Sequence, residues 1–119
     1  MRRLFPIIVC LVFGCQVDPV QQNPYLNNLP PFEFELNLNL PLYNNLRFSG
    51  NSITLDQLGL KGVHLYNLNN SQILAWEASC PNQNPSDCSK TTINYGVAEC
   101  NCDDSTYSIA TGQPLSEGV

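Results

Sequence analysis

The chain has 119 residues, enough for one small domain, with 43% hydrophobic residues to build a core and a formal net charge of −5. Ten acidic residues face only five basic ones, so there is no basic patch to neutralise phosphates, which argues against nucleic-acid binding and against attachment to anionic lipid by charge. Polarity comes instead from 15 asparagines, a residue that suits turns because its side chain bonds nearby backbone and tolerates positive φ.

The first segment is a leader rather than fold. Met1-Arg2-Arg3 is basic, and residues 4–14 are apolar apart from Pro6, a run shorter than a membrane span and matching a secretory signal peptide. It ends Val12-Phe13-Gly14-Cys15, which resembles a bacterial lipobox. The resemblance implies that residues 1–14 are a lipoprotein signal peptide and that Cys15 becomes the lipidated N-terminus, holding the protein to a membrane. The alternative is a plain signal peptide or an N-terminal helical anchor, with Cys10 and Cys15 incidental. Cleavage would leave Arg47, Lys61 and Lys90 against ten acids, a net charge of −7. Gln16 replaces the aspartate that retains many lipoproteins at an inner membrane. The implied address is therefore the bacterial cell envelope, lipid-anchored, at the outer membrane or in the periplasm.

Residues 15–31 read as a tether. They are polar, and Pro19, Pro24, Pro30 and Pro31 block a helix. A domain over residues 32–119 follows. Residues 32–40 form the cleanest strand pattern: Phe32, Phe34, Leu36, Leu38 and Leu40 alternate with polar residues, so period two puts them on one face. Residues 46–48 and 53–55 are short strand candidates around a Ser49-Gly50-Asn51 turn, and residues 56–60 are a loop or at most one helical turn. Residues 62–68 and 72–78 form a hairpin around Asn69-Asn70-Ser71, with Val63, Leu65 and Ile73 pointing inward and Trp76 nearby. Residues 91–95 and 97–100 form a second hairpin around Gly96, and residues 107–110 a last strand. No helical period is sustained, so the class is all-β.

Between these strands lie Cys80-Pro81-Asn82 and Cys100-Asn101-Cys102-Asp103-Asp104-Ser105, closed by Tyr107 and Thr111-Gly112. Over residues 62–112 the pattern resembles a Rieske [2Fe–2S] domain, in which a Cys-x-His loop faces a Cys-x-x-His loop. The resemblance implies a small antiparallel β-sandwich with Cys80 and Cys100 at the cysteine ligand positions. Asn82 and Asp103 stand where the two ligand histidines belong. Such domains continue past Thr-Gly with further strands, so this chain reads as C-terminally shortened. An open sheet edge or an unfilled core is then expected, covered by a partner or by residues 32–40.

Two imidazoles on one iron raise a Rieske centre's potential; an amide is a poor iron ligand and a carboxylate a hard anionic one. The resemblance therefore implies a degenerate site with no cluster. Two cysteines that would share a metal, with metal–sulfur bonds of ~2.3 Å, have sulfurs within about 4 Å of each other, so without metal a disulfide forms in an oxidising compartment. Cys102 matches a cysteine that, in one branch of the family, bridges the loops, and Cys88 is its candidate partner. The implied pairs are Cys80–Cys100 and Cys88–Cys102.

Several alternatives stay open: a [2Fe–2S] electron-transfer protein with atypical ligands, a zinc site from Cys80, Cys88, Cys100 and Cys102, which lacks a Cys-x-x-Cys knuckle, and Ca²⁺ at Asp87, Asp103 and Asp104, which lack alternating oxygen ligands. His64, the sole histidine, reads as a surface or edge residue. No hydrolase or nucleotide motif is present. The expected protein is a binding or structural module, with its loop tip around Asn82 and Asp103 as the surface for a protein partner.

Overall fold

The structure is a computed structural model that describes residues 24–25 and 30–117. The leader, Cys10, Cys15 and most of the tether lie outside the described residues. The domain is all-β, with two three-stranded antiparallel sheets and one short 3₁₀ helix among the described residues. The first sheet joins β1 (Ser52–Leu55), β2 (Val63–Asn67) and β3 (Ile73–Glu77) in that order; the second joins β4 (Thr91–Asn94), β5 (Val97–Cys100) and β6 (Thr106–Ser108).

Successive residues of a strand face opposite sides of its sheet, and β2 uses both. Leu65 lies opposite Ile53 and Ala75 and joins a core of Tyr43, Leu46 and Leu55, with Val63 and Ile73 packed against it. Tyr66 and Trp76 instead pack against a second core of Ala98, Tyr107 and Ile109 from the other sheet. The first sheet is therefore covered on both faces. Val63, Leu65 and Ile73 share the expected face; Trp76 is on the other.

Two expectations at the N-terminal side fail. Residues 32–40 pair with no strand among the described residues; the segment ends in a turn in which the Leu40 amide donates to the Asn37 carbonyl at 3.1 Å. Its side-chain alternation holds in part: Leu36 and Leu38 pack on the first core, and Phe34 meets the Tyr43 ring edge-on at 6.4 Å. Phe32, Phe34 and Leu36 line one groove with Leu55, Val63, Leu65 and Ala75. The segment thus lies over the sheet face, where no unpaired strand edge offers it a ladder.

The second failure is residues 46–48. Leu46 and Arg47 end a 3₁₀ helix, Pro41–Arg47, and Phe48 caps it. Three residues per turn put Tyr43 and Leu46 on the same side, where both are buried. Pro41 starts the helix, where its fixed φ fits and its missing N–H costs nothing.

The hairpins follow their turn chemistry. Asn70 adopts φ 64°, and its amide donates to Oδ1 of buried Asn67 at 2.7 Å. Asn67 also donates through Nδ2 to the Leu46 carbonyl at 2.7 Å, tying hairpin to helix. Asn67→Ala leaves that carbonyl without its partner and is expected to cost about 1–3 kcal/mol, read as a lower urea midpoint at unchanged slope. In the β4–β5 turn, Tyr95 and Gly96 have φ 47° and 78°, the two positive values of a hairpin-compatible turn. Gly96 serves conformation alone, since a Cβ there would meet nothing.

The last strand spans Thr106–Ser108 rather than the expected 107–110, ending two residues early because the chain turns after Ser108 and folds back. The Ser108 amide donates to the Gln113 carbonyl at 2.9 Å and the Leu115 amide to the Thr106 carbonyl at 2.7 Å, with Pro114 bridged to Tyr107. Residues 113–115 therefore cover the β6 edge that was expected to be open. Proline has no N–H to extend the ladder further.

Candidate functional site

The two sheets meet where β3 runs on past Glu77. The Thr91 amide donates to the Ala78 carbonyl at 2.7 Å and the Cys80 amide to the Ser89 carbonyl at 2.9 Å, with Ser79 bridged to Lys90. This short ladder delivers Cys80 at the mouth of one loop, residues 80–89. β5 delivers Cys100 at the mouth of the other, residues 100–105.

The loops are clamped twice. Cys80 bonds Cys100, with Cα atoms 5.7 Å apart, and Cys88 bonds Cys102, with Cα atoms 5.0 Å apart, both within the usual disulfide range. These are the pairs implied by the Rieske resemblance. Cys80 and Cys100 are buried, at 1% and 0% exposed, whereas Cys88 is exposed. Two disulfides fit a compartment that is not reducing.

At the tip Asn82 and Asp103, the two positions that the resemblance sets at the ligand histidines, meet. Asn82 donates through Nδ2 to Asp103 Oδ2 at 3.1 Å, and Gln83 donates to the same oxygen at 3.2 Å. The Ser105 amide donates to Asp103 Oδ1 at 3.0 Å. That backbone bond, then the Asn82 bond, hold the Asp103 carboxyl below its usual range. Gln83 also reaches Cys100 Sγ at 3.2 Å; it ties both loops, and nothing in the sequence pattern singled it out.

A [2Fe–2S] cluster does not fit this donor set. The sulfurs of Cys80 and Cys100 are bonded to each other and present no thiolate. The Asn82 amide nitrogen has no free lone pair and is spent as a donor. Asp103 is occupied by hydrogen bonds on both oxygens. Among the described residues, no group of three or more His, Cys, Asp or Glu side chains could hold a metal ion.

His64 differs from its expected surface position: it is 2% exposed, because its face of β2 is covered by the second sheet. Thr91 donates its hydroxyl hydrogen to the Ala78 carbonyl at 2.8 Å, so it accepts from Nε2 of His64 at 2.8 Å. Nδ1 then accepts from the Thr54 hydroxyl at 2.7 Å. This pattern suits the neutral ring, and burial lowers the His64 pKa from its ordinary 6.5. The unfolded chain binds the proton at higher pH than the folded one, so stability falls as pH drops below about 6.5, until the folded pKa is passed. His64→Gln is expected to flatten that limb of a melting-temperature profile between about pH 7 and 5; an unchanged profile contradicts it.

Glu77 also escaped the sequence pattern. Its carboxylate accepts from the amides of Leu60 at 2.9 Å, Lys61 at 2.8 Å and Ser79 at 3.1 Å, and so organises the β1–β2 loop. Asp87 and Asp104 are exposed. Among the described residues no helix is long and apolar enough to cross a membrane. No protein-family model matches the chain, and neither a curated protein nor a solved structure matches it.

Proposed function

We propose that the chain is a lipid-anchored domain of the bacterial cell envelope, with Rieske-like loops locked by disulfides and free of a cluster. It acts as a binding or structural module, not as an enzyme. The observation that carries this proposal is the tip itself: an amide and a carboxylate at the histidine positions bond each other, over a buried disulfide at the cysteine positions. The exposed ends of Asn82 and Asp103 offer a donor, an acceptor and a negative charge to a protein partner. Attachment through Cys15 would hold that surface near a membrane.

The test is to purify the protein without reductant and measure iron and free thiols, then to follow labelled fatty acid in cells. Iron below stoichiometry, no free thiol at Cys80, Cys88, Cys100 or Cys102, and label lost in Cys15→Ser are the expected results. Stoichiometric iron with a Rieske absorption pattern makes the protein an electron carrier instead. Label retained in Cys15→Ser, or absent from the wild type, removes the lipid anchor.

A further inference from the structure

A cavity of about 200 Å³ opens between the two sheets, beside Cys80 and Pro81. Trp76, Pro81, Ala98 and Ile109 give it mostly apolar walls. One lining residue comes from outside the two sheets and their loops: Tyr25, in the stretch that the sequence marks as a tether. Pro24 is exposed, yet Tyr25 beside it is half-buried. A tether that only spaced the domain from its anchor would leave this ring in water.

The wall that Tyr25 meets is preformed. The Trp76 indole N–H donates to the Ile109 carbonyl at 2.7 Å, which fixes the ring. Gly112 packs so close to the same ring that a Cβ there would come within 2.7 Å of it. The N-terminal stretch also borders Trp76 a second time. Phe32, Phe34 and Leu36 line another groove, and Trp76 and Glu77 line both. Tyrosine suits the first groove, because its ring has an apolar body for such walls and a polar end for the wet mouth.

We propose that Tyr25 is a docking residue, its ring seated between the two sheets, which straps the tether to the domain at the foot of the loop tip. Pro81 lines the same cavity and adjoins Asn82 of the tip. The free chain from Cys15 then has ten residues, ending at Tyr25, rather than seventeen ending at Phe32. At about 3.5 Å per residue its greatest reach falls from about 60 Å to about 35 Å. The strap itself does not depend on the lipid anchor or on the Rieske resemblance. Only the height of the tip above a membrane rests on the proposed attachment at Cys15.

Trp76 is the only tryptophan of the chain, so its fluorescence reports on the cavity. The test uses the purified protein with its disulfides intact. Nuclear Overhauser contacts are expected between the Tyr25 ring and the side chains of Trp76, Pro81 or Ile109. Tyr25→Ser is expected to shift the Trp76 emission to the red, because water enters where the ring sat, and Tyr25→Phe to restore most of the wild-type emission. No such contact, or an emission unchanged in Tyr25→Ser, overturns the proposal. Contacts seen only between labelled and unlabelled chains in a mixed sample assign the ring to a second copy and overturn it as well. The contacts are read on the wild type, so they decide even where Tyr25→Ser folds poorly. Both readouts apply equally to the Cys15→Ser protein, so failure of the lipid anchor and failure of the strap are separate results.

Discussion

Replacing Cys80 and Cys100 together by alanine is expected to destabilise the domain by about 3–5 kcal/mol, the largest effect of any change at the loop tip. The bridge spans a sequence separation of 20, worth about 3 kcal/mol if its action is to restrict the unfolded chain. Both sulfurs are buried, so their removal also leaves a hole, which adds to the loss. The Cys88–Cys102 bridge spans 14 and shares residues 88–100 with the first. Once one bridge is closed, the chain left free for the other is shorter, so the two contributions sum to less than twice either. Cys88→Ala with Cys102→Ala is therefore expected to cost less, about 2 kcal/mol, since Cys88 is exposed and little packing is lost with it. A domain of this size has only some 5–15 kcal/mol in total, so full reduction brings it close to unfolding. Each kcal/mol moves the melting temperature by about 4–8 °C in a domain this small, which makes thermal melts with and without reductant the decisive measurement. Both pairs of substitutions melting within a few degrees of wild type would show that packing, not the bridges, holds the loops.

Glu77→Ala is expected to cost about 2–3 kcal/mol, because it strips the acceptor from three backbone amides at once. The loop from β1 to β2 has no ladder of its own; the Leu60 and Lys61 amides are held by this one carboxylate. Gly59 sits so close that a Cβ there would collide with Glu77 Oε2, and its φ of +66° is itself left-handed. Glu77→Gln keeps the shape and one acceptor oxygen, and roughly half the loss is expected. Amide exchange separates this from a general loosening: Leu60 and Lys61 should lose protection in Glu77→Ala well before β2 does. Equal loss of protection across both sheets would contradict a local role.

What was legible in the sequence depended on how local its cause is. The turns at Asn69-Asn70-Ser71 and at Gly96 were placed correctly because asparagine and glycine accept positive φ by themselves; Tyr95, expected in the strand, joins the second turn with φ 47°. β2 and β3 were legible because a hairpin brings its own partner strand. Residues 32–40 showed the right side-chain alternation and yet form no strand, since period two describes a face, while a strand needs another backbone to bond. Residues 41–47 hid a 3₁₀ helix because Tyr43 and Leu46, three apart, are too few to display a period.

Burial and partnership across the fold were not legible. His64 was placed at the surface because alternation in β2 marks one face as inner, and only the packing of a second sheet makes its other face inner as well. Gln83 and Glu77 act through contacts 17 and 16 residues away in sequence, and no spacing rule connects them. The cysteine pairing came through resemblance, since four cysteines alone allow three connectivities.

Composition, turn residues and strand periods by themselves determined an all-β chain with two hairpins, because those are choices each residue makes with its neighbours. The tertiary structure alone decided that the two sheets stack and that Asn82 meets Asp103. It likewise decided that residues 113–115 close an edge and that His64 is buried between the sheets. Each of those outcomes depends on distances between segments far apart in the chain, set only when the apolar faces pack.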